Sequence, residues 1–292
     1  TFAQSAVVLD LAEGGTYTFD QSDSTMSSHP MKLSTTANGT HGGGTSYNTG
    51  VTYQLDGSTV TESAFVSGFS SATSRKLIIT VAASAPTLYY YCHYHSGMGS
   101  SINTNSTLGS SNFDGTIQTT VKASPTSGFS IIRYTGTGSD GTLGHGLGVA
   151  PSVYIVKRRS SAKDWYIQVG NLAGIDLGRF LKLNANDGIN FASDVFAATA
   201  DTSTVLNTKS DSATNASGDT YVIYCFSSVE GFSKFGSYTG YLPSTGNGSF
   251  VYLGFRPAFL LVKKTASEFA LMTDSKRGAI NPIDERLFPA YN

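Results

Sequence analysis

The chain has 292 residues, with 19 basic and 20 acidic side chains and a formal net charge of −1. This length is sufficient for two domains, each with its own core. A near-neutral chain lacks the positive field that attracts nucleic acid, and it lacks a polybasic patch for a membrane surface. No apolar run approaches the roughly 20 residues of a bilayer-spanning helix. We therefore expect neither nucleic-acid binding nor membrane insertion.

The composition favours an all-β fold. Hydrophobic residues make up 39% of the chain and aromatic residues 12%, and there are 32 glycines. Aromatic and β-branched side chains suit a pleated, half-buried surface, and glycine supplies the turns between short strands. No segment has a convincing helical period, so we expect helix to be a minority.

Short strands separated by turns occupy the first 122 residues. Residues 17–19 alternate in polarity, residues 77–81 form an apolar run, and residues 88–92 form a run rich in tyrosine. A glycine-rich turn covers residues 37–44. Several strands at this spacing predict a β-sandwich over residues 1–122.

A second β-rich module is predicted over residues 123–292, and it contains an internal repeat. Residues 148–158 align without a gap with residues 254–264, at a constant offset of 106 (257 − 151). Each copy has a proline at the entrance of an apolar strand, followed by a basic pair. This pattern predicts a β-sandwich or jelly-roll-like module with copies starting near 148 and 254. Only 35 residues follow the second proline (292 − 257), so we expect a truncated second copy that continues beyond Asn292.

One group of residues has the character of a metal site. Cys92, His95 and Met98 follow a tyrosine-rich strand, and His29 lies 63 positions before Cys92 (92 − 29). Two imidazoles, a thiolate and a weak axial thioether form the ligand set of a blue-copper site. The alternative is that Cys92 and Met98 are packing residues of a sandwich core, since a buried cysteine behaves as a small hydrophobe.

Residues 15–100, with this motif, resemble a cupredoxin. The resemblance implies a β-sandwich in which His29, Cys92, His95 and Met98 occupy the four copper-ligand positions. Copper is then the one cofactor expected. On this interpretation, the whole chain would be a secreted copper-binding protein.

The later segments carry a second resemblance. Residues 144–151, 231–240 and 254–259 are similar to a repeat-bearing module of tail-fibre-like and other virion structural proteins of marine tailed bacteriophages. The first module, with its tyrosine run and its cysteine–histidine loop, also resembles domains of cyanophage structural proteins. The resemblance implies a virion protein on the particle surface, most simply a tail-fibre or spike component for host attachment. A head fibre or capsid-decoration protein is the alternative.

Such a protein is expected to bind other molecules and not to catalyse a reaction. The sequence has no nucleophile elbow and no phosphate-binding loop. We expect self-association, most simply as a trimer, contacts with other virion proteins, and contact with a host surface glycan. The candidate glycan or receptor contacts are Trp165, Phe232, Phe235 and Tyr238, although aromatic residues of this kind also fill cores. The two cysteines, Cys92 and Cys225, leave a disulfide open.

Overall fold

The computed structural model describes residues 6–104, 109–240, 249–277 and 285–289. The predicted all-β fold is confirmed, because strands make up most of the regular structure and the helical segments are short. The chain divides into two compact units, Thr1–Ser111 and Asn112–Asn292. The sequence placed this division at 122/123, but the strand at residues 119–124 pairs with the strand that follows it and therefore belongs to the second unit. None of the described helices is long and apolar enough to cross a bilayer.

The first unit is a sandwich of two four-stranded sheets. Its elements are β1 (Leu9–Asp10), β2 (Thr16–Asp20), a 3-10 turn (Ser24–Met26), β3 (Met31–Ser34), a second 3-10 turn (Gly39–Gly42), β4 (Val51–Leu55), β5 (Ser58–Val60), α1 (Glu62–Gly68), β6 (Arg75–Thr80), β7 (Leu88–Cys92) and β8 (Gly99–Asn103). One sheet has the order β1-β8-β7-β3 and the other β2-β6-β4-β5. All pairs are antiparallel except β1 with β8.

The core of this unit lies between the two sheets. Alternate residues of β6 are buried, as the period of two in a strand requires. Leu33 from one sheet and Leu77 from the other are fully buried in the same cluster. Phe65 and Phe69, on and just after α1, cover one end of this cluster. The Thr61 hydroxyl caps the helix by accepting a hydrogen bond from the Ala64 amide at 3.2 Å.

The second unit is built on a large antiparallel sheet. The strands from residue 110 onward are β9 (Ser110–Asn112), β10 (Thr119–Ser124), β11 (Phe129–Thr135), β12 (Gly141–Gly144), β13 (Val153–Arg158), β14 (Tyr166–Gln168), β15 (Arg179–Lys182), β16 (Asn190–Phe191), β17 (Val205–Thr208), β18 (Thr220–Phe226), β19 (Phe259–Val262) and β20 (Leu271–Asp274), with a 3-10 turn at Pro125–Ser127. Eight of them form a sheet of order β16-β15-β14-β13-β18-β11-β10-β9.

Two smaller pairs, β12–β17 and β19–β20, complete the described sheets. The main core of the unit buries one face of the large sheet, where Ile132, Val156 and Ile223 on three neighbouring strands are almost fully covered. Leu143 and Leu206 of the pair β12–β17 belong to the same core. The second unit is therefore also layered, with the small pair and its loops over the large sheet.

Candidate metal centre

Three predicted ligand residues meet at one end of the sheet β1-β8-β7-β3. Cys92 is the last residue of β7, and its register partner is Met31, the first residue of β3. His29 precedes β3 by one intervening residue, Pro30. Because β3 and β7 are antiparallel neighbours, the start of one lies beside the end of the other. The pairing thus brings together two residues that are 63 positions apart in sequence (92 − 29).

The ligating atoms of His29, Cys92 and His95 all lie within 4.8 Å of one another. The Cys92 Sγ is 3.4 Å from His95 Nδ1 and 3.7 Å from His29 Nδ1. The two imidazole centroids are 4.5 Å apart. Cys92 is buried, His29 half-buried and His95 exposed. One soft sulfur and two imidazole nitrogens therefore face a common point that opens to solvent on the His95 side.

Backbone hydrogen bonds close the loop that carries these ligands. The Cys92 amide donates to the Met98 carbonyl at 3.1 Å, and the His93 amide donates to the Pro30 carbonyl at 2.8 Å. The first bond holds residue 98 beside residue 92, and the second joins the loop to the segment of His29. These bonds fix the loop at both ends.

Asn38 clamps the tip of the same loop. Its side-chain amide donates to Ser96 Oγ at 2.9 Å, and its carbonyl oxygen accepts from the Gly97 amide at 2.8 Å. Asn38 has a left-handed backbone (φ 62°), which asparagine tolerates better than most residues. The glycine after it lies against Tyr91, since a Cβ at Gly39 would be 2.4 Å from the Tyr91 ring. The glycine-rich turn predicted from sequence is thus a support of the ligand loop.

A partly buried ion pair joins β3 to the first residue of α1. Lys32, the register partner of Tyr91, places its ammonium 5.6 Å from the centre of the Tyr91 ring and 2.7 Å from Glu62. Glu62 also accepts hydrogen bonds from Ser46 Oγ at 2.6 Å and Asn48 Nδ2 at 2.8 Å. Burial alone would raise the pKa of Glu62, but these hydrogen bonds and the Lys32 charge outweigh it and lower the pKa to about 2.

Two further imidazoles lie near the cluster. His41 Nε2 is 3.1 Å from the Cys92 carbonyl oxygen, so in the Nε2–H tautomer it donates to the backbone of the ligand strand. His93 packs edge-on against Tyr94 at 4.7 Å, and burial, reinforced by the Lys32 charge, lowers the pKa of His93. Neither belongs to the group of ligand atoms formed by His29, Cys92 and His95.

Met98 lies at the end of the ligand loop, and 44% of its surface is exposed to solvent. Its carbonyl oxygen accepts the Cys92 amide, which holds the residue next to the cysteine in space. Its thioether remains the predicted axial ligand.

The four candidate glycan contacts do not share one environment. Trp165 is half-buried and stacks on Tyr224 at 6.3 Å, and Phe235 packs against Phe226 at 5.5 Å. Phe232 and Tyr238 are 63% and 56% exposed. The first two aromatic side chains are therefore engaged with the sheet, and the last two are presented to solvent.

The disulfide that the sequence left open is absent, and a buried histidine of the second unit is satisfied by hydrogen bonds. Cys92 and Cys225 are both free thiols. His145 is fully buried, with Nδ1 accepting from the Leu147 amide at 3.2 Å and Nε2 within 3.2 Å of the Thr202 carbonyl. Burial lowers the pKa of His145, and its neutral form satisfies both partners.

The fold and the cluster define the class of protein: a two-unit, all-β chain in which, among the described residues, one group of side chains in the first unit could hold a metal ion. The family described as a domain of unknown function, DUF7483, matches residues 101–292, which is 192 of the 292 residues (292 − 101 + 1), and the chain belongs to this family. None of the curated proteins and none of the solved structures compared with the chain matches it. His29, Cys92 and His95 precede the matched residues, so the family assignment rests on the second unit.

Proposed function

We propose that the first unit binds a copper ion through His29, Cys92 and His95. The observation that carries this proposal is the convergence of three ligand atoms, within 4.8 Å of one another, from two separate segments. A thiolate with two imidazoles suits copper, and a thioether at Met98 would complete the set. Bound copper would supply a one-electron redox couple at this site.

The residues present fit such an ion by their chemistry and by their support. Cys92 is buried and His95 exposed, so the thiolate is shielded from water while an imidazole edge reaches the surface. The Asn38 clamp and the Met98–Cys92 backbone bond hold the loop in place through contacts of the chain itself. Ligands that are already ordered lose little further conformational freedom on binding.

The copper proposal is tested by adding Cu(II) to metal-free protein and recording visible absorption and bound metal per chain. We expect one equivalent of copper and the intense band of a Cu(II)–thiolate bond, lost in Cys92→Ser. The matched control is His93→Gln, on the same loop but outside the cluster, which should retain both signals. Met98→Leu should keep the copper and shift the band. A protein that binds zinc but gives no coloured copper complex would contradict the proposal.

For the chain as a whole, we propose a role as a virion structural protein, a tail-fibre or spike component that mediates host attachment. Tightly turned β-structure and low charge suit a particle surface, because few segments can open and few interactions depend on salt. The second unit also presents large apolar side chains to solvent, including Phe250 at 87% and Tyr252 at 72% exposure. Exposed apolar groups of this size commonly mark contact surfaces. A head fibre or capsid-decoration protein would have the same properties.

Location in an intact particle tests this second proposal. Mass spectrometry of purified particles should detect the chain, and antibody labelling should place it on the tail or on the head surface. A chain found only in the soluble secreted fraction would contradict the virion role and leave the copper site as the function.

Host attachment predicts a glycan contact, for which Phe232 and Tyr238 are the best placed candidates because both are exposed. Glycan-array binding should be lost in Tyr238→Ala and Phe232→Ala. It should persist in Phe191→Ala, which removes an aromatic side chain of similar exposure (51%) on β16. Trp165→Ala and Phe235→Ala test the remaining two candidates, and equal binding by all five variants would contradict a glycan contact at these residues.

A further inference from the structure

The chain after the glycine-rich turn runs antiparallel beside β3. Ser34 and Ser46 form an antiparallel bridge, and a backbone hydrogen bond of 2.7 Å joins the next pair of residues. One further step of this register places Asn48 opposite Lys32 (34 − 2 and 46 + 2). Residues directly opposite each other in an antiparallel pair have Cβ atoms about 5 Å apart, with their side chains on the same face. A buried lysine and an asparagine are therefore cross-strand neighbours.

A single carboxylate links the Lys32 amine to the Asn48 carboxamide. Glu62 Oε1 lies 2.7 Å from Lys32 Nζ, and Glu62 Oε2 accepts a hydrogen bond from Asn48 Nδ2 at 2.8 Å. The oxygen of the same carboxamide, Asn48 Oδ1, accepts a hydrogen bond from the Tyr53 hydroxyl at 3.0 Å. An amine, a group that can carry protons, a carboxamide and a hydroxyl donor are thus connected in one chain of contacts.

These four groups differ in their access to solvent. The Lys32 side chain is 4% exposed and the Glu62 side chain 28%, and Tyr53 is buried. Asn48 is exposed, and with Tyr53 and Glu62 it lines an open groove of about 260 Å³. The amine is therefore shielded from water, whereas a small molecule released at Asn48 can leave through the groove.

We infer that Lys32 and Asn48 form an intramolecular isopeptide bond, with Glu62 as the group that transfers protons. Glu62 accepts a proton from the Lys32 ammonium, and the neutral Nζ attacks Cγ of Asn48. The Cγ–Nζ bond forms and the Cγ–Nδ2 bond breaks. Two protons pass from Nζ through Glu62 to Nδ2, which leaves as ammonium, so atoms and charge balance without an oxidant. The Tyr53 hydroxyl stabilises the negative oxygen of the tetrahedral intermediate.

Charge decides which side chain reacts and how fast. The pKa of Glu62, lowered to about 2, keeps this group ionised, so it accepts a proton and is not attacked itself. Lys32 is an ammonium paired with Glu62 for nearly all of the time, which makes the reaction slow. Proximity offsets this, since well-oriented intramolecular reactions have effective molarities of about 10⁵–10⁸ M. A newly folded chain therefore contains the ion pair, and the linked form accumulates with time.

A similar trio in the second unit serves as an internal comparison. Lys182 Nζ is 3.1 Å from Asp164 Oδ2, and Asn184 Nδ2 donates to Asp164 Oδ1 at 3.1 Å. Here the lysine and the asparagine are two residues apart in one segment and do not face each other across a strand pair. The Lys182 side chain is 24% exposed, and its hydrogen bonds to Asp187 and Asp164 raise the pKa of Lys182 to about 12. An amine that is more exposed and harder to deprotonate is not expected to react.

Mass spectrometry of newly folded and aged wild-type chains tests the inference. The linked chain should be lighter by the mass of one ammonia molecule. Trypsin cuts after unmodified lysine, so cleavage after Lys32 in the denatured protein should be lost, and the peptide that ends at Arg75 should then contain the residues on both sides of Lys32. Fragmentation should release no piece between residues 32 and 48. Cleavage after Lys182 should remain complete.

Lys32→Arg, Asn48→Ala and Glu62→Gln should each retain the full mass, whereas the matched control Lys182→Arg should lose ammonia as the wild type does. Lys32→Arg keeps the positive charge beside Glu62, and Asn48→Ala removes an exposed side chain, so the loss of linking in these two variants would not reflect unfolding. An aged wild-type chain of full mass would overturn the inference. So would a loss of ammonia that leaves cleavage after Lys32 intact, or equal linking in Glu62→Gln. None of these results depends on copper binding.

Discussion

The two buried cysteines show how position in a sheet decides the chemistry of one residue type. Cys92 ends β7, beside a loop that returns His95 to within 3.4 Å of its sulfur. Cys225 lies within β18, with strands on both sides and no exposed area. Burial, with a smaller contribution from Asp201, raises the pKa of the Cys225 thiol well above its usual value. A strand end gives a thiol access to ligands and solvent, whereas a strand interior makes it an inert packing group.

Two carboxylates, one in each unit, also differ in their surroundings. Glu62, behind Cys92, is paired with Lys32, and its pKa is about 2. Asp201, near Cys225, is held by the amides of Asn171 and Asn207, and no described cation pairs with it, so burial prevails and raises its pKa. Desolvation thus raises the pKa of both carboxylates, but Glu62 is less buried and has a cationic partner, so the net shifts are opposite.

The largest expected contrast is in thiol alkylation. In metal-free native protein, iodoacetamide should modify Cys92 through local opening of its loop. Cys225 should react only through unfolding of its unit, at least about 1,000-fold more slowly for a stability near 5 kcal/mol. Mass spectrometry of the digested protein measures both rates, and copper should protect Cys92 alone. Equal rates at the two thiols would show that the loop is no more open than the interior of the large sheet.

Gly99→Ala should be the most damaging small change near Cys92. Gly99 has φ 145°, and a Cβ there would lie 1.9 Å from the Tyr90 carbonyl oxygen. We expect a loss of about 3 kcal/mol in the first unit from strain and overpacking. Alkylation of Cys92 should accelerate, with that of Cys225 unchanged.

Gly97→Ala is the matched control for this change. Gly97 also has positive φ (77°), but nothing lies within 4 Å of an added Cβ. Only the backbone strain of about 1 kcal/mol should remain. If the two variants unfold at the same denaturant concentration, the close approach of β8 to β7 does not require a glycine at position 99.

The strands around the site and the cluster of three side chains could be predicted from sequence, but the residues that support the cluster could not. An apolar run and a tyrosine-rich run predict β6 and β7, and the spacing of Cys92, His95 and Met98 indicates a loop of candidate ligands. The contribution of Asn38 depends on the pairing of β3 with β7, which brings it to a loop 58 positions away (96 − 38). The Lys32–Glu62 pair joins a strand to a helix and has no sequence motif. The Asn-Gly pair at residues 38–39 was the one local signal for the clamp.

The two carboxylates predict opposite responses to acid. The pKa of Glu62 is lower in the folded state, so its stabilisation is complete above its unfolded value of 4.5 and is lost as pH falls towards about 2. The pKa of Asp201 is raised in the folded state, so its ionised form destabilises. That penalty disappears as pH falls through the raised value towards 3.8.

Hydrogen exchange resolved by unit should show this contrast between pH 7 and 3. The first unit should lose protection in acid, and Glu62→Gln should remove that dependence and cost about 2 kcal/mol at pH 7, because Lys32 is left buried without its partner. An equal loss of exchange protection in both units would mean that other carboxylates dominate the acid response.

The smallest predicted effect is that of removing the His41 imidazole. This change tests the support of the Cys92 backbone separately from the role of the Cys92 side chain. The His41 imidazole contacts the Cys92 carbonyl at 3.1 Å and is itself exposed, so His41→Ala should cost about 1 kcal/mol or less. The rate of Cys92 alkylation should rise by the factor that corresponds to this free energy, up to roughly fivefold, because the strand end opens more readily. Copper stoichiometry should not change, since His41 lies outside the ligand group. A loss of bound copper in His41→Ala would instead make this imidazole a ligand.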